Sequence, residues 1–547
     1  MTSSPFSSEH LLFTPASPKA DAIPTIFAFP NEYTVGITSL GYQVVWATLA
    51  MREDLEVSRL FTDTQENLPR NPEILGFSMS WELDYVNIMS LLESLGIPIE
   101  TDARENHHPI VFGGGPVLTA NPEPFADFFD IVLLGDGENL IGNFIEAYKQ
   151  VRQADRQTKL KFLAQVPGIY VPSLYHVDYH STDGAIKSIQ PISDDIPAVV
   201  EKQTYRGNTL SASTVVTEKA AWENIFMVEV VRSCPEMCRF CLASYLTLPF
   251  RTASVEKSLI PAIEKGLQVT NRLGLLGASV TQHPEFEELL NYINQPKYDN
   301  VRLSIASVRT NTVTLELAKT LAKRDTKSLT IAVESGSERV RKIINKKLEQ
   351  EDIIKTGAIA KAGGLTGLKL YGMAGIPGEE AEDLEATVAM MKNIKKAAPG
   401  LRLTLGCSTF VPKGHTPFQW YGVNKQAEKR LQFLQKQLKP QGIDYRPESY
   451  NWSIIQALLS RGDRRISKLL KLTRNFGDSL GSYKRAFKEL KGEIPDLDFY
   501  VYRDWPTDQV LPWEHLQGPL SKATLLKHLA EAKNLIEKSD QELLPLS

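Results

Sequence analysis

The chain has 547 residues, 42% of them hydrophobic and 23% charged, with a formal net charge of −4. That length gives three or four domains with ample core, and the composition is that of an ordinary globular protein. It excludes several classes. No run of ~18 apolar residues is present to span a membrane, the Ser- and Pro-rich first two dozen residues lack the basic and apolar regions of a secretory signal, and the acidic balance does not advertise nucleic-acid binding. The chain holds four cysteines, three of them within eight residues, which indicates a reducing, cytoplasmic setting and not a disulfide scaffold.

Residues 1–24 read as a disordered leader. Residues 25–160 then alternate short apolar strands with helical periodicity, with strands expected at Val35–Ile37, Glu56–Leu60, Ile74–Ser78, Ile110–Phe112 and Ile131–Leu134. Such alternation predicts a parallel, doubly wound, Rossmann-like sheet. Gly113-Gly114-Gly115-Pro116 and Gly135-Asp136-Gly137-Glu138 each follow a strand. That is where such sheets bring backbone close to a ligand, although tight turns need the same residues. Residues 165–222 read as a connector: a β-hairpin about Ser181-Thr182-Asp183-Gly184, then a Ser/Thr-rich linker over 209–217.

The most specific stretch is Arg232-Ser233-Cys234-Pro235-Glu236-Met237-Cys238-Arg239-Phe240-Cys241, a C-x3-C-x2-C spacing directly after an apolar strand. Three thiolates on one loop suit three corners of a [4Fe–4S] cluster, since cysteine is the usual ligand. A structural zinc site would need a second ligand pair that is absent here, and a redox C-x-x-C pair would leave Cys234 unexplained. One iron would then lack a protein ligand. Residues 223–424 supply six strand–helix units, with strands near 226–231, 273–277, 301–305, 329–333, 368–373 and 402–406. Right-handed crossovers would curl them into a partial (β/α)6 barrel with its site at the carboxyl edge.

With its aromatic Phe240, this cysteine pattern resembles the radical S-adenosylmethionine superfamily. The glycine loops and Ala126-Asp127-x-x-Asp130-Ile131-Val132 resemble the cobalamin-binding-like domain that precedes many such cores. The resemblance implies that Cys234, Cys238 and Cys241 hold the cluster and that the open iron chelates S-adenosylmethionine. Electron transfer to the sulfonium would then yield a 5′-deoxyadenosyl radical.

By position, the resemblance puts Phe240 near the adenine and Gly277 and Ser279 near the methionyl amine, although the usual acidic residue is missing from Gly274–Ser279. Ser307 and Arg309 would meet the carboxylate or ribose, Glu334 and Ser335 the ribose, and the backbone about Ile376 and Gly378 the adenine. The Asp-x-His-x-x-Gly motif of cobalt ligation is absent, which leaves cobalamin binding open. An electron donor such as ferredoxin or flavodoxin is implied as partner, with a small-molecule or macromolecular substrate unspecified.

Methyl transfer to an unactivated position is the reaction expected with cobalamin, and hydrogen abstraction without it. An RNA-modifying methylthiotransferase-like enzyme would call for three further cysteines before Cys234, and there are none. A non-catalytic cluster-bearing sensor or electron carrier is the third reading. Lys413 and His415 are further candidates for the substrate face, and Cys407 reads as a core residue. Residues 425–547 read as a mostly helical region with a basic stripe, Arg461, Arg464, Arg465, Lys468, Lys471 and Arg474, taken as a solvated face.

Overall fold

The computed structural model describes residues 4–477 and 479–543. The amino-terminal domain is built on a six-stranded sheet of β1 (Ile23–Ala28), β2 (Leu55–Leu60), β3 (Ile74–Ser78), β4 (Ile110–Gly114), β5 (Ile131–Leu133) and β6 (Ile169–Tyr170), in the order β2-β1-β3-β4-β5-β6. All neighbours are parallel except β5 and β6. Nearly every residue of β1, β3 and β5 is buried, as expected of strands covered on both faces by helices. Those helices include α1 (Tyr33–Thr38), α2 (Leu40–Ala50), α3 (Tyr85–Ser94) and α4 (Gly137–Val151).

Two expectations fail here. Val35–Ile37, read as a strand, lies within helix α1, whose Tyr33 and Ile37 bury one face four residues apart. Local β-branched composition hid that helical period. The expected leader is also ordered from residue 4 onward: Glu9 accepts both guanidinium NH2 groups of Arg59 at 2.8 Å, and the ring of Phe6 meets Tyr33 at 5.4 Å. His10–Leu11 pairs with Val215–Val216.

The Ser/Thr-rich linker is likewise structural. Ser213 N–H donates to Met227 O, and Glu229 N–H donates to Ser211 O, so the linker covers the free edge of the first barrel strand, an edge otherwise exposed to unwanted pairing.

The second sheet system is an arc of parallel strands. β7 (Ile225–Glu229), β8 (Arg272–Leu276) and β9 (Arg302–Ile305) form one sheet, while β10 (Ser328–Glu334), β11 (Gly367–Ala374), β12 (Arg402–Thr409) and β13 (Asp444–Pro447) form the other. A parallel bridge from Val308 to Ile331 joins them. The six expected strands are all present, and β13 extends the arc by one. Its single buried residue, Tyr445, gave too little pattern to be read as a strand. Helices α5 (Glu338–Ile343), α6 (Ala381–Ala397) and α7 (Ala427–Leu438) lie among those along the outside, and Leu368, Leu370, Leu403, Leu405 and Cys407 share a core cluster with Met391 of α6 and Leu434 of α7.

The carboxyl-terminal region holds α8 (Tyr450–Arg461), α9 (Ile466–Asn475) and α10 (Lys522–Leu543). Its basic stripe is not a free solvated face but a staple to the amino-terminal domain. Arg464 donates to buried Glu123 at 2.9 Å and to Tyr175 O at 2.7 Å, while Arg474 reaches Glu93 at 2.6 Å. Arg461 is fully buried, with its guanidinium 3.8 Å from the Trp505 ring centroid. Burial works against the Glu123 anion, yet Arg464 and the neighbouring hydrogen bonds hold its pKa below the usual value.

Removing one partner of such a buried pair strands the other charge, which costs about 3–5 kcal/mol. We therefore expect R464M to lower unfolding stability by that order in a denaturant titration. K468M, whose exposed pair with Glu493 is worth about 0–1 kcal/mol, should leave the midpoint almost unchanged.

Candidate functional site

The cysteine loop leaves β7 at the carboxyl edge of the arc, and its neck is closed by Val231–Arg232 pairing antiparallel with Arg251–Thr252. Ser233 and Met237 adopt positive φ, 72° and 55°, a conformation that L-residues take only where surroundings impose it. Those surroundings are explicit. Ser233 Oγ donates to Ala243 O at 2.9 Å, Cys241 N–H donates to Cys238 O at 2.9 Å, and Asn345 Nδ2 donates to the carbonyls of Glu236 and Met237.

Arg239 locks the middle of the loop from two sides. Its guanidinium donates to Lys342 O and Ile343 O, at 3.1 and 2.6 Å, satisfying the last carbonyls of α5 where a cation also complements the helix dipole. It also reaches Glu531 of α10 at 2.9 Å. Tyr245 shares a hydrogen bond with His528 Nδ1 of the same helix at 2.8 Å. The carboxyl-terminal helix thus braces the loop from nearly 300 residues away in sequence, a contact nothing in the loop itself announces.

Cys238 is buried and Cys241 half-buried, and desolvation pushes the Cys238 thiol up to about 12 and raises Cys241. The Lys346 ammonium and, for Cys241, the N–H groups of Ser244 and Ala243 pull the other way. The thiols are therefore neutral near pH 7 until a metal replaces their protons. Among the described residues, no three His, Cys, Asp or Glu side chains converge closely enough to grip a single ion. Three cysteines of a cubane each take a different corner, and the donor set of this short, braced loop is the thiolate set such clusters use.

Around this loop the predicted cosubstrate residues form two groups. Ser279 Oγ donates to Gln282, Gln282 Nε2 donates to Glu236 at 2.6 Å, and Arg309 approaches the other Glu236 oxygen at 3.3 Å while donating to Lys347 O at 2.7 Å. Glu236, inside the cysteine motif, joins Ser279 and Arg309 and was not singled out from the sequence; a carboxylate between two cluster cysteines was the available signal. Gly277, at φ 147°, lets the end of β8 pass the loop neck, since an added Cβ would come within 2.6 Å of Val231 O.

In the second group, Glu334 sits at a strand irregularity with φ 64° and accepts from Lys346 Nζ at 3.1 Å. Burial opposes the Lys346 charge, but the Glu334 carboxylate holds its pKa above the usual value. Ser335 Oγ accepts from the Ser337 N–H, and Phe240 is half-buried against the core. Ser307 is half-buried just past the end of β9.

Ile376 is fully buried, and Gly378 packs under α10, where an added Cβ would meet Ile536 at 2.6 Å. Lys413 turns to Glu82 and Ser460, and His415 is buried against Gly518 and Trp513, so both serve the domain interface and not a substrate face. Cys407 lies on the outer, helix-covered side of β12.

Facing the loop is a cavity of about 220 Å³ at the carboxyl edge of the amino-terminal sheet. Phe27, Phe77, Phe112 and Leu133 give it apolar walls, Gly41, Gly114 and Gly137 line it, and Arg232 stands at its rim. An added Cβ at Gly41 would meet nothing within 4 Å, and at Gly114 nothing closer than 3.8 Å; both glycines keep space open. Arg232 Nη2 reaches Glu138 and Glu229, each at 2.6 Å, and Arg251 reaches Asp136 at 2.6 Å. Among the described residues, no histidine lines this cavity.

A three-cysteine loop on a parallel β/α arc, facing the ligand edge of a Rossmann-like domain, makes this a two-domain α/β protein with a candidate iron–sulfur site. The sequence matches the family models "Radical SAM proteins, N-terminal" over residues 41–172 and "Radical SAM superfamily" over 228–391. The chain belongs to the radical S-adenosylmethionine superfamily, whose members use a [4Fe–4S] cluster and S-adenosylmethionine.

An uncharacterized protein of Methanocaldococcus jannaschii is 29% identical over 459 residues, 84% of this chain and 93% of the relative. A tRNA-2-methylthio-N(6)-dimethylallyladenosine synthase of Acetivibrio thermocellus is 24% identical over 178 residues, 31% of this chain and 37% of the relative. The radical S-adenosylmethionine methyltransferase TsrM of Kitasatospora setae, solved with cobalamin and a [4Fe–4S] cluster, is 13% identical. The match covers 95% of this chain and 99% of TsrM at a TM-score of 0.50, a likeness of fold. Among the described residues, no helix is long and apolar enough to cross a membrane.

The three motif cysteines should be separable from the fourth. After anaerobic reconstitution, C238A is expected to lose most of the bound iron and the broad visible absorption, whereas C407A retains both. Iron and sulfide analysis with electron paramagnetic resonance checks this.

Proposed function

We propose that this protein is a radical S-adenosylmethionine enzyme that binds a corrinoid in its amino-terminal cavity and transfers a methyl group to an unactivated position of its substrate. The observation that carries this reading is the placement of the apolar, glycine-kept cavity directly against Arg232, two residues before Cys234. A flat heteroaromatic group suits its phenylalanine and leucine walls. With no histidine in the lining, the protein offers cobalt no imidazole there, in keeping with the missing Asp-x-His-x-x-Gly motif. The cavity residues fit the corrinoid's nucleotide tail better than they fit a side-chain ligand to the metal.

The cofactors supply the electron transfer and the methyl carrier; this chain's residues position and shield. Cys234, Cys238 and Cys241 would hold three irons and leave the fourth for the amino and carboxylate groups of S-adenosylmethionine. Glu334 stands ready to accept from ribose hydroxyls, and Lys346 keeps that carboxylate in place while balancing the thiolate charge. Arg239, Asn345 and Tyr245 fix the loop backbone so that it does not reorganise when an electron arrives from a donor of the ferredoxin or flavodoxin kind.

The reading is tested by anaerobic reconstitution with iron, sulfide and hydroxocobalamin, followed by cobalt analysis, corrinoid absorption and product analysis with S-adenosylmethionine and a strong reductant. Cluster signal, near-stoichiometric cobalt and S-adenosylmethionine turnover are expected. A protein that builds the cluster and cleaves the cosubstrate yet takes up no cobalt would remove methyl transfer. In G114L, which fills the cavity, corrinoid uptake should fall at least about tenfold, the equivalent of ~1.4 kcal/mol, with the cluster spectrum unchanged.

A further inference from the structure

The inner face of the arc is unexpectedly open and cationic on one side. Along β11, Leu368 and Leu370 point outward into the helical layer, so Gly367, Lys369 and Tyr371 face the lumen. The glycines confirm the facing: an added Cβ at Gly406 would lie 3.5 Å from the Tyr371 ring, and one at Gly367 would lie 3.9 Å from Arg402 Nε. Lys369 and Tyr371 are the third and fifth residues of an eight-residue strand with neighbours on both sides and helices behind. Yet Tyr371 is 52% exposed and Lys369 is exposed as well. A core strand does not leave such residues in water unless the space before them is empty.

Register then places the groups. Tyr371, Gly406 and Arg446 share one row, and Lys369, Thr404 and Asp444 the row below. Gly406 is thus a gap between an aromatic ring and a guanidinium, with an ammonium one step deeper and Arg402 a further step down. The acid in this set, Asp444, is already taken by Arg446 at 2.6 Å and by Thr404. Lys369, Arg402 and Arg446 against Asp444 leave a net positive slot. From Lys369 to Ala374, the last residue of β11, is five residues, ~16 Å at about 3.3 Å each, which is the depth between the slot and the edge bearing the cysteine loop.

We propose that the lumen selects a small-molecule substrate with an anionic end, a carboxylate or a phosphate, held by Lys369, Arg402 and Arg446. The body of the substrate would lie over Gly406 against Tyr371 and point toward the cysteine edge. This rests on the reading of the chain as a radical S-adenosylmethionine enzyme and specifies the substrate class for that site. An ammonium and two planar guanidiniums bind such oxyanions by charge-assisted hydrogen bonds, and the uncovered tyrosine face offers stacking area.

The test is protection of Lys369 from amine acylation, read by peptide mass spectrometry on the full chain before and after cluster reconstitution, at constant ionic strength. Pyrophosphate and citrate are the two anionic probes and glycerol the neutral one. One of the anions is expected to slow acylation of Lys369 several-fold and leave exposed Lys19 unaffected; which one does so tells phosphate from carboxylate.

R402Q should raise the anion concentration needed for that protection roughly tenfold, the loss of one hydrogen bond to a charged group. G406L, which fills the slot without touching a charge, should abolish it while circular dichroism and the cluster spectrum stay unchanged. Equal acylation rates with both anions and glycerol, or protection that survives G406L, would overturn the proposal. Failure to build a cluster is a separate result that sinks the functional reading alone, because acylation is read without it.

Discussion

The arrangement depends on a small ionic knot between two sheet edges. Asp136 and Glu138, just past β5, meet Arg251 and Arg232 on the neck of the cysteine loop, and Glu229 at the end of β7 completes the set. Burial works against the Asp136 anion, but Lys202 and the two arginines keep it in its charged form. Parallel sheets gather ligand-binding groups at their carboxyl edges, and here two such edges are turned toward each other. Removing Arg232 would leave Glu138 and Glu229 without their charge partner, a costly state for partly buried ions. The knot therefore holds the cavity of one domain against the cluster loop of the other.

Given that juxtaposition, the remainder of the molecule acts as bracing. Arg464 and Arg474 anchor the carboxyl-terminal region to the first domain, Lys413 does the same for the segment after β12, and α10 returns to the loop through Glu531 and His528. A loop carrying residues at positive φ is stable only when over-determined in this way. The bracing also limits reorganisation around the cluster thiolates.

Much of this was legible in the sequence because it rests on local signals. The C-x3-C-x2-C spacing, the glycine loops at strand ends and the alternation of apolar strands with helices are all short-range patterns, and the structure places them as those patterns imply. What escaped was non-local or composite. The helix at Tyr33–Thr38 looks like a strand because Val35 and Ile37 are β-branched, and β13 is too short to show a period. The basic stripe of α8 and α9 looks solvated until Glu123, Glu93 and Glu100 arrive from more than 300 residues away. Glu236 lay in plain view inside the motif, but its partners Gln282 and Arg309 are loop residues whose meeting depends on how three strand ends curl together.

The distribution of cysteine bears on the chemistry proposed above. A second cluster would need thiolates beyond the three of the motif, and the chain offers Cys407 alone. Its thiol is buried on the helix-facing side of β12, where burial pushes it up to about 12 beside Tyr445. It can neither ionise readily nor reach the lumen. The sequence holds no second set of three cysteines, whereas the first domain keeps a walled, glycine-lined space at the place where its sheet faces the loop. On the function proposed above, the group delivered to the substrate comes from a molecule seated in that space or from S-adenosylmethionine itself. On that reading the cavity beside Arg232, more than the barrel it adjoins, is the feature that sets the chemistry proposed for this chain.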